Sequence, residues 1–346
     1  MKYVCRHCFN DVELIGFIQS RDIIGRCHFC GKDDAEIIET TELLEFFKQL
    51  LDNFKVDKKG ENIISIIQKY WRFFKSEEVG KEILNFVLKQ VQTSITRSDE
   101  KVTFSNEILE NVNYWEILKE QLKWERRYIT NIEYLTEDLG WDGFFNSKST
   151  IKPNNTYYRA RLHYNANERK YNKTSMLSPA RELATAGRAN PPGIPYLYLC
   201  DNKETVLYEI RAAYLDEVTI AYFKLNQISN DPVIISDFTE IPSLFFTNAK
   251  ESEITNQIKS TLLKQKISKD LSRPLRRYDS DLDYIPTQFI CEFIRIFTNV
   301  GGIKFRSSLH KSGNNIVIFD QNKMQCINRQ KVKITNVNIK SKEIEY

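Results

Sequence analysis

The sequence lacks any apolar run long enough to span a membrane, since nowhere do about 18 apolar residues follow one another. Its first residues, MKYVCRHCFND, also lack the apolar stretch of a secretory signal peptide, so we expect a cytoplasmic protein without a membrane segment. An excess of one charge is missing as well, because 50 basic and 46 acidic residues leave a formal net charge of +4. So small a net charge does not by itself indicate a nucleic-acid-binding protein.

Glycine is scarce, at 12 of 346 residues, whereas tyrosine and phenylalanine number 17 and 21. This balance favours packed helices and strands over a loop-rich scaffold. A chain of this length suggests two or three domains. Changes in composition along the chain place the predicted boundaries at residues 1–40, 41–150 and 151–346.

The middle region contains no proline between residue 41 and about residue 148. Apolar residues recur at helical spacing in TELLEFFKQLLDNF, NIISIIQKYWRFFK and NEILENVNYWEILKEQLKWERRY. We therefore predict an all-α region here, with no catalytic grouping.

The last region has a different pattern. Short runs rich in tyrosine, isoleucine, valine and phenylalanine, such as TYYRARL, IPYLYLC, EVTIAYFKL and NNIVIFD, predict strands. KETVLYEIRAAYL and DYIPTQFICEFIRIFTNV lie between such runs and predict helices, the first capped by Asp201 or Asn202. The region after Asp320 is predicted to be a last strand or a loosely attached end. Together these segments predict an α+β domain.

Four of the seven cysteines form two CxxC pairs near the start of the chain, Cys5, Cys8, Cys27 and Cys30. Two such turns complete a tetrahedral Zn²⁺ site, and this spacing is typical of a zinc ribbon. His7 and His28 lie between the cysteines and are alternative ligands, although four thiolates are the simpler choice. A four-thiolate site is closed, so we predict a structural role. The competing interpretation is a set of ordinary buried or redox-active cysteines.

The last region also contains five blocks whose residue types suit catalysis or substrate binding. TYYRAR places Arg159 and Arg161 on the same side of a strand. The turn-rich GRANPPG follows, then the strand IPYLYLC and the helix KETVLYEIR, which carries Glu209. Much later, GGIKFRSS is predicted to end a helix and enter a strand.

In this order the blocks resemble the RES domain family, over about residues 156–320. The most specific part is GRANPPGIPYLYLCDNKETVLYEIR, in which Tyr198 precedes Glu209 by eleven residues. The resemblance assigns the family arginine to Arg159 and the family serine to Ser307. Arg161 and Ser308 are the adjacent alternatives, and Arg306 stands where many relatives have proline before the serine.

The resemblance implies an ADP-ribosyltransferase-like fold and a site that consumes NAD⁺. A carboxylate beside the ribose suits Glu209, because cleavage of the glycosidic bond develops positive charge there. Arginines suit the pyrophosphate because they pair with phosphate oxygens in bidentate geometry, which indicates Arg159 or its neighbour Arg161. Arg188 is a second candidate for the same role. We expect Tyr198 to stack on the nicotinamide and the Ser307 hydroxyl to donate to a phosphate or to the carboxamide.

Known RES proteins act as bacterial toxins that degrade NAD⁺, or they transfer ADP-ribose to a target. The resemblance therefore implies an NAD⁺ phosphorylase or glycohydrolase, restrained by an antitoxin or serving in phage defence. The preceding helices resemble the HEPN/RES-type extension of long RES proteins, and they offer faces for a homodimer or a regulatory protein. The alternatives are an ADP-ribosyltransferase that modifies a protein and a non-enzymatic nucleotide- or nucleic-acid-binding module. The basic stretch at residues 264–283 is predicted to be a solvated loop, or alternatively a lid over an anionic substrate.

Overall fold

The computed structural model divides the chain into two compact units. The first comprises Met1–Ile117 and Glu240–Gln265, and the second comprises Leu118–Thr239 and Lys266–Tyr346. The structure describes residues 2–146, 149–165, 168–226, 232–247, 251–274, 281–338, 341 and 343. The division into three domains with boundaries near residues 40 and 150 stays a prediction. The structure adds that a segment from the last of these regions belongs to the first compact unit.

The first unit begins with a small antiparallel sheet in the order β1-β3-β2. Its strands are β1 (Tyr3–Cys5), β2 (Ile24–Gly25) and β3 (Ala35–Glu39). Helix α1 (Val12–Gln19) connects the first two strands, and the Asp11 side chain caps it by accepting from the backbone N–H of Leu14.

The predicted all-α region is mostly helical. Its helices are α2 (Leu44–Leu51), α3 (Ile63–Trp71), α4 (Glu77–Val87) and α5 (Asn106–Glu120). The prediction is wrong in one place, because β4 (Phe54–Asn62) and β5 (Lys101–Phe104) pair as an antiparallel ribbon. Phe54 and Phe104 stack with ring centroids 4.9 Å apart. The lysine-rich strand β4 is mainly exposed, so it lacks the apolar alternation that normally identifies a strand.

The first unit has one continuous core built around aromatic rings. Phe73 and Phe74 are fully buried and pack edge to face, with centroids 5.0 Å apart. The segment Glu240–Gln265 contributes five side chains to this core, Leu244, Phe245, Ile254, Ile258 and Leu262. The last three belong to helix α8 (Glu251–Ser272), and their four-residue spacing puts them on one face of it.

The second unit contains a seven-stranded sheet in the order β12-β8-β6-β7-β11-β10-β9. Neighbouring strands are antiparallel except for the parallel pair β9 and β10. The strands are β6 (Tyr157–Leu162), β7 (Leu197–Cys200), β8 (Glu217–Leu225), β9 (Ser236–Asp237), β10 (Gly302–Arg306), β11 (Asn314–Ile318) and β12 (Met324–Lys333). The strands expected in this region are therefore confirmed, and residues after Asp320 do form a last strand.

Among the described residues, the α-helices that lie wholly within this mixed α/β unit are α6 (Trp141–Phe144), α7 (Lys203–Glu209) and α9 (Ile285–Phe297). Of the two caps considered for α7, Asn202 is confirmed, because its side chain accepts from the N–H groups of Glu204 and Thr205. None of the helices within the described ranges combines the length and apolar character needed to cross a bilayer.

The seven-stranded sheet opens between β6 and β7. These two strands share a single registered pair, Tyr158 with Cys200, whereas β6 and β8 share six. Beyond Tyr158 the two strands part, so backbone groups of β7 lose their ladder partners on this side. Arg159, one of the predicted site residues, lies at this opening.

Candidate functional site

Glu209, Ser307 and Asn315 form the centre of the candidate site. Glu209 ends α7, Ser307 follows β10, and Asn315 lies in β11. The Ser307 hydroxyl donates to Glu209 Oε1 over 2.6 Å, and the Asn315 amide donates to the same oxygen over 2.8 Å. Two donors on one oxygen fix the plane of the carboxylate. They leave Oε2 without a hydrogen bond to any described residue, so that oxygen is available to a ligand.

The turn after β10 holds Ser307 in place. Its Oγ accepts from the backbone N–H groups of Leu309 and His310, at 3.2 and 3.0 Å. The turn closes where the N–H of Ser307 donates to the carbonyl of Gly313 over 2.9 Å. A Cβ on Gly313 would clash with the buried Thr205 of α7, so glycine is required for the turn to approach the helix.

Tyr198 ties the GRANPPG loop to β7. Its hydroxyl donates to Asn190 Oδ1 over 2.7 Å and accepts from the N–H of Ala189 over 3.0 Å. Gly187 packs directly against the ring, because a Cβ at that position would lie 2.7 Å from the Tyr198 hydroxyl. Burial raises the pKa of Tyr198, which keeps the phenol protonated and able to donate.

Arg159 lies where β6 and β7 part. Its Nη1 donates to the backbone carbonyl of Tyr198 over 3.3 Å, across the opening of the sheet. Because Tyr158 pairs with Cys200, their side chains lie on the same face of the sheet. Side chains alternate along a strand, so the Arg159 side chain leaves β6 on the face opposite Cys200 and Tyr198. Its Nε is buried without a hydrogen-bond partner. Burial and the nearby charge of Arg161 lower the pKa of Arg159 to about 10.

The other two predicted phosphate-binding arginines are held by backbone carbonyls. Arg161 Nη2 donates to the carbonyl of Leu177 over 3.0 Å. Arg188 Nη1 donates to the carbonyl of Leu271 over 2.8 Å and to the carbonyl of Arg273. The structure thus brings Glu209 and Ser307 into direct contact, and within the described residues it places none of these arginines in a hydrogen bond with Glu209.

Sequence reasoning missed Asn315 and Cys200. The Cys200 thiol donates to Asn315 Oδ1 over 3.2 Å, so the Asn315 amide joins Cys200 to Glu209. Burial and the negative charges of Glu209 and Asp201 raise the pKa of Cys200, which therefore remains a thiol. The available signal was the pair of asparagines that opens the strand NNIVI, of which Asn315 lies on the same face as Val317, the partner of Tyr198.

The prediction of a solvated loop at residues 264–283 is wrong for the first part of this stretch. Its first part continues α8 as far as Ser272, and Arg273 follows as an exposed residue. Arg276 and Arg277, the other two arginines of the stretch, lie outside the described residues. The alternative of a lid over an anionic substrate stays a prediction.

The four N-terminal cysteines form a cluster that can hold a metal ion. Their sulfur atoms all lie within 4.8 Å of one another. Neighbouring pairs are separated by 3.4 Å for Cys5 and Cys30, 3.6 Å for Cys8 and Cys27, and 3.8 Å for Cys5 and Cys8. Zn–S bonds of about 2.3 Å in a tetrahedron place sulfur atoms about 3.8 Å apart, so the spacing fits Zn²⁺.

The backbone around the second cysteine pair also fits a metal-binding turn. Cys27 Sγ accepts from the N–H groups of Phe29 and Cys30, both over 3.5 Å, and such bonds stabilise a thiolate. Gly31 follows in the left-handed conformation with φ of +72°. His28 is engaged elsewhere, because its Nδ1 accepts from the N–H of Tyr3 over 3.0 Å. Four cysteines are therefore a sufficient donor set, and His28 is not needed.

Comparison with known proteins identifies one family. The RES domain matches residues 156–336, a range that includes β6, the GRANPPG loop, Glu209, Ser307 and Asn315. No curated protein and no solved structure matches the chain. Because the matched range covers more than half of the 346 residues, the chain belongs to the RES domain family.

Proposed function

We propose that this RES domain, whose fold we take to be ADP-ribosyltransferase-like, cleaves NAD⁺ at the bond between nicotinamide and ribose. Family membership supports a role in NAD⁺ processing. The observation that carries the proposal is the Ser307–Glu209–Asn315 group, because a fixed carboxylate with one unengaged oxygen suits a reaction that develops positive charge on a sugar.

Glu209 has the principal catalytic role in this proposal. Departure of neutral nicotinamide leaves an oxocarbenium-like ribose, which a nearby carboxylate stabilises. With Oε1 occupied by Ser307 and Asn315, Oε2 is the oxygen that can accept from a ribose hydroxyl or orient the attacking group. The two donors hold this oxygen in position before the substrate binds, which lowers the cost of reorganisation during the reaction.

The observed contacts refine the roles expected from the sequence. The hydrogen of the Ser307 hydroxyl is already donated to Glu209, so we assign Ser307 to positioning the carboxylate and not to binding phosphate. The Tyr198 hydroxyl is occupied by the GRANPPG loop, which leaves its ring for contact with nicotinamide. Arg188 keeps a guanidinium group that no carboxylate neutralises among the described residues, so it is suited to the pyrophosphate. Arg159 leaves its strand on the face opposite Tyr198, so its role at the pyrophosphate rests on the family resemblance alone.

The acceptor of ADP-ribose decides the reaction class. Inorganic phosphate would make the protein an NAD⁺ phosphorylase, and water would make it a glycohydrolase. Transfer to a protein side chain would make it an ADP-ribosyltransferase, and binding without turnover would make it a nucleotide-binding module.

Purified full-length protein incubated with NAD⁺, with and without inorganic phosphate, tests the proposal, with products resolved by mass. We expect loss of NAD⁺ and release of nicotinamide; ADP-ribose phosphate that appears only with phosphate would identify phosphorolysis. Glu209→Gln keeps the size and one acceptor oxygen but removes the charge, so we expect at least about a 100-fold loss of rate. Glu204→Gln, on the exposed part of the same helix, is the matched control. Intact NAD⁺ under all conditions would contradict the proposal.

We further propose a biological setting that follows from consumption of a central cofactor. Such an activity must be restrained, which suits a cytoplasmic toxin with an antitoxin or regulatory partner, or a phage-defence protein that acts when triggered. We propose a structural zinc ribbon at the four cysteines, where Zn²⁺ would hold the two CxxC turns together without taking part in catalysis. A homodimer formed through the helical region is also part of this proposal.

A further inference from the structure

A pocket in the second unit lies next to Arg188 and has a strongly basic lining. Four cationic side chains line it, Lys119, Lys123, Arg188 and Arg273. Two carboxylates line it as well, Asp270 and Asp283. Cations therefore exceed carboxylates by two, a local excess that contrasts with the nearly balanced composition of the chain.

The Arg188 guanidinium is held rigidly at this pocket. Its Nη1 donates to carbonyls at the C-terminal end of α8, those of Leu271 and Arg273. These carbonyls have no partner within the helix, so the arginine satisfies them and is fixed in return. Its Nε and Nη2 donate to no described residue, which leaves one edge of the guanidinium for an oxyanion.

Lys123 and Arg273 keep donors that a ligand can use. Asp283 accepts from Lys123 Nζ over 2.6 Å and so occupies one of three ammonium donors. Lys119 pairs with Asp270 over 3.0 Å. Arg273 is exposed and has no ion pair within the described part of the chain. Pro286 and Thr287, in the first turn of α9, also line the pocket and bring the positive end of that helix to it.

The pocket is connected to the candidate active site through the GRANPPG loop. Arg188 precedes Ala189, whose N–H donates to the Tyr198 hydroxyl, and Gln288 of α9 donates to the carbonyl of Gly187 over 2.9 Å. Burial lowers the pKa of Arg188, and the negative charge of Glu209 acts in the opposite direction. The pocket and the candidate active site therefore share the GRANPPG loop.

We infer that this pocket binds a phosphate group, and that Lys119 and Lys123, which precede the residues matched by the RES domain, thereby contribute to substrate binding. The inference rests on the proposed function only for the source of the phosphate. That source is either inorganic phosphate acting as acceptor or the pyrophosphate of NAD⁺.

Calorimetric titration of the full-length Glu209→Gln protein tests this inference without requiring turnover. The titrants are inorganic phosphate, NAD⁺ and nicotinamide riboside, which carries no phosphate. Arg273→Gln and Lys123→Gln, each in this background, should weaken binding of a phosphate-bearing titrant about tenfold, the worth of one charge-assisted hydrogen bond. Arg169→Gln, at an exposed arginine outside the pocket, should leave it unchanged. Lys123→Arg should retain binding, because it keeps both the charge and a partner for Asp283.

The two sources give different results. Weakened binding of inorganic phosphate itself would identify the acceptor site, whereas weakened binding of NAD⁺ alone would identify a pyrophosphate site. Unchanged affinities in Arg273→Gln and Lys123→Gln, or no binding of either phosphate compound to the parent protein, would overturn the inference. A protein that binds phosphate in this pocket and yet leaves NAD⁺ intact would contradict the proposed function alone.

Discussion

Ser307 and Ser308 are adjacent in the chain, but their environments differ completely. Ser307 is 7% exposed and donates to Glu209, whereas Ser308 is exposed to solvent. Ser307→Ala would leave Glu209 Oε1 with only the hydrogen bond from Asn315 among the described residues, and the loss of one hydrogen bond to a charged group, about 1.5–3 kcal/mol, corresponds to a roughly 10- to 100-fold lower kcat. Steady-state NAD⁺ turnover measures this effect, and we expect little change in KM because Ser307 is assigned to positioning.

Ser308→Ala is the matched control, and it should retain both the activity and the thermal stability of the parent. Ser307→Ala should also lower stability by about 1–3 kcal/mol, since the N–H groups of Leu309 and His310 lose their acceptor. A Ser308→Ala variant that loses activity while Ser307→Ala keeps it would reverse the assignment of the family serine.

Asp11 is a buried carboxylate that serves two parts of the first unit at once. Its Oδ1 caps α1 at Leu14 N, over 3.1 Å, and its Oδ2 accepts from the N–H groups of Leu244 and Phe245, at 2.6 and 3.3 Å. Asp11→Asn keeps a good helix cap but turns an amide donor toward the two N–H groups. We therefore expect a loss of about 1–3 kcal/mol in the free energy of unfolding, measured by urea denaturation.

Ser76 provides the comparison, because it caps α4 in the same unit through a single bond to Val79 N. Ser76→Asn should change the free energy of unfolding by less than about 0.5 kcal/mol, since both residues are good N-caps. Equal effects at the two positions would mean that the bonds from Asp11 to residues 244 and 245 add nothing to stability.

At the scale of elements, the four-cysteine turns are joined to the aromatic core of the first unit. The carbonyl of Cys8 accepts from Lys75 N over 2.9 Å, and Phe9 forms a β-bridge with Phe74. We expect one zinc per chain by elemental analysis of protein purified without chelator. Cys8→Ser should lose the metal and lower the melting temperature by more than about 5 °C, because release of the turn loosens these contacts.

Cys326→Ser is the control for the zinc prediction, since Cys326 is a buried cysteine of β12 that lies outside the cluster. It should retain one zinc per chain. Protein that is purified under reducing conditions without chelator and contains no zinc would refute the assignment.

Elements were predictable from the sequence where a local apolar pattern defines them. The strand EVTIAYFKL is β8 residue for residue, because a buried β-strand needs such a run of β-branched and aromatic residues. The ribbon strand β4 was missed because it is exposed and lacks apolar alternation. Helix α8 was missed although Ile254, Ile258 and Leu262 recur at helical spacing, because polar and charged residues predominate between them. Glu209 and Ser307 were identified through family resemblance, whereas the contact of Asn315 with Glu209 depends on strand register that no local pattern determines.

For the whole molecule, the least predictable feature is the long-range placement of residues 240–265. Five side chains of this segment lie in a core whose other residues all come from positions 4–112, more than 120 residues earlier in the chain. An apolar spacing such as that of Ile254, Ile258 and Leu262 indicates a helix with one buried face, but it does not say which distant residues cover that face. A boundary drawn at residue 150 from composition alone therefore separates residues that share one core.

This placement has a consequence for any attempt to isolate the RES domain. A fragment of residues 151–346 would expose Leu244, Phe245, Ile254, Ile258 and Leu262, which are at most 7% exposed in the full chain. At about 1.5–3 kcal/mol for each side chain, the lost burial is comparable to the whole stability of a typical domain. We expect this fragment to be aggregated or to bind a hydrophobic dye, as measured by size-exclusion chromatography and dye fluorescence.

Changing these five residues to serine within the fragment should restore a monodisperse species. We expect this because the exposed apolar face, and not the seven-stranded sheet, causes the fragment to aggregate. Co-expression with residues 1–150 should also restore solubility by supplying the missing core. If the unmodified fragment were monodisperse and unfolded with the same midpoint as the full chain, residues 240–265 would contribute nothing to the stability of the rest. The first unit would then be an attachment to the RES domain and not a part of its folding.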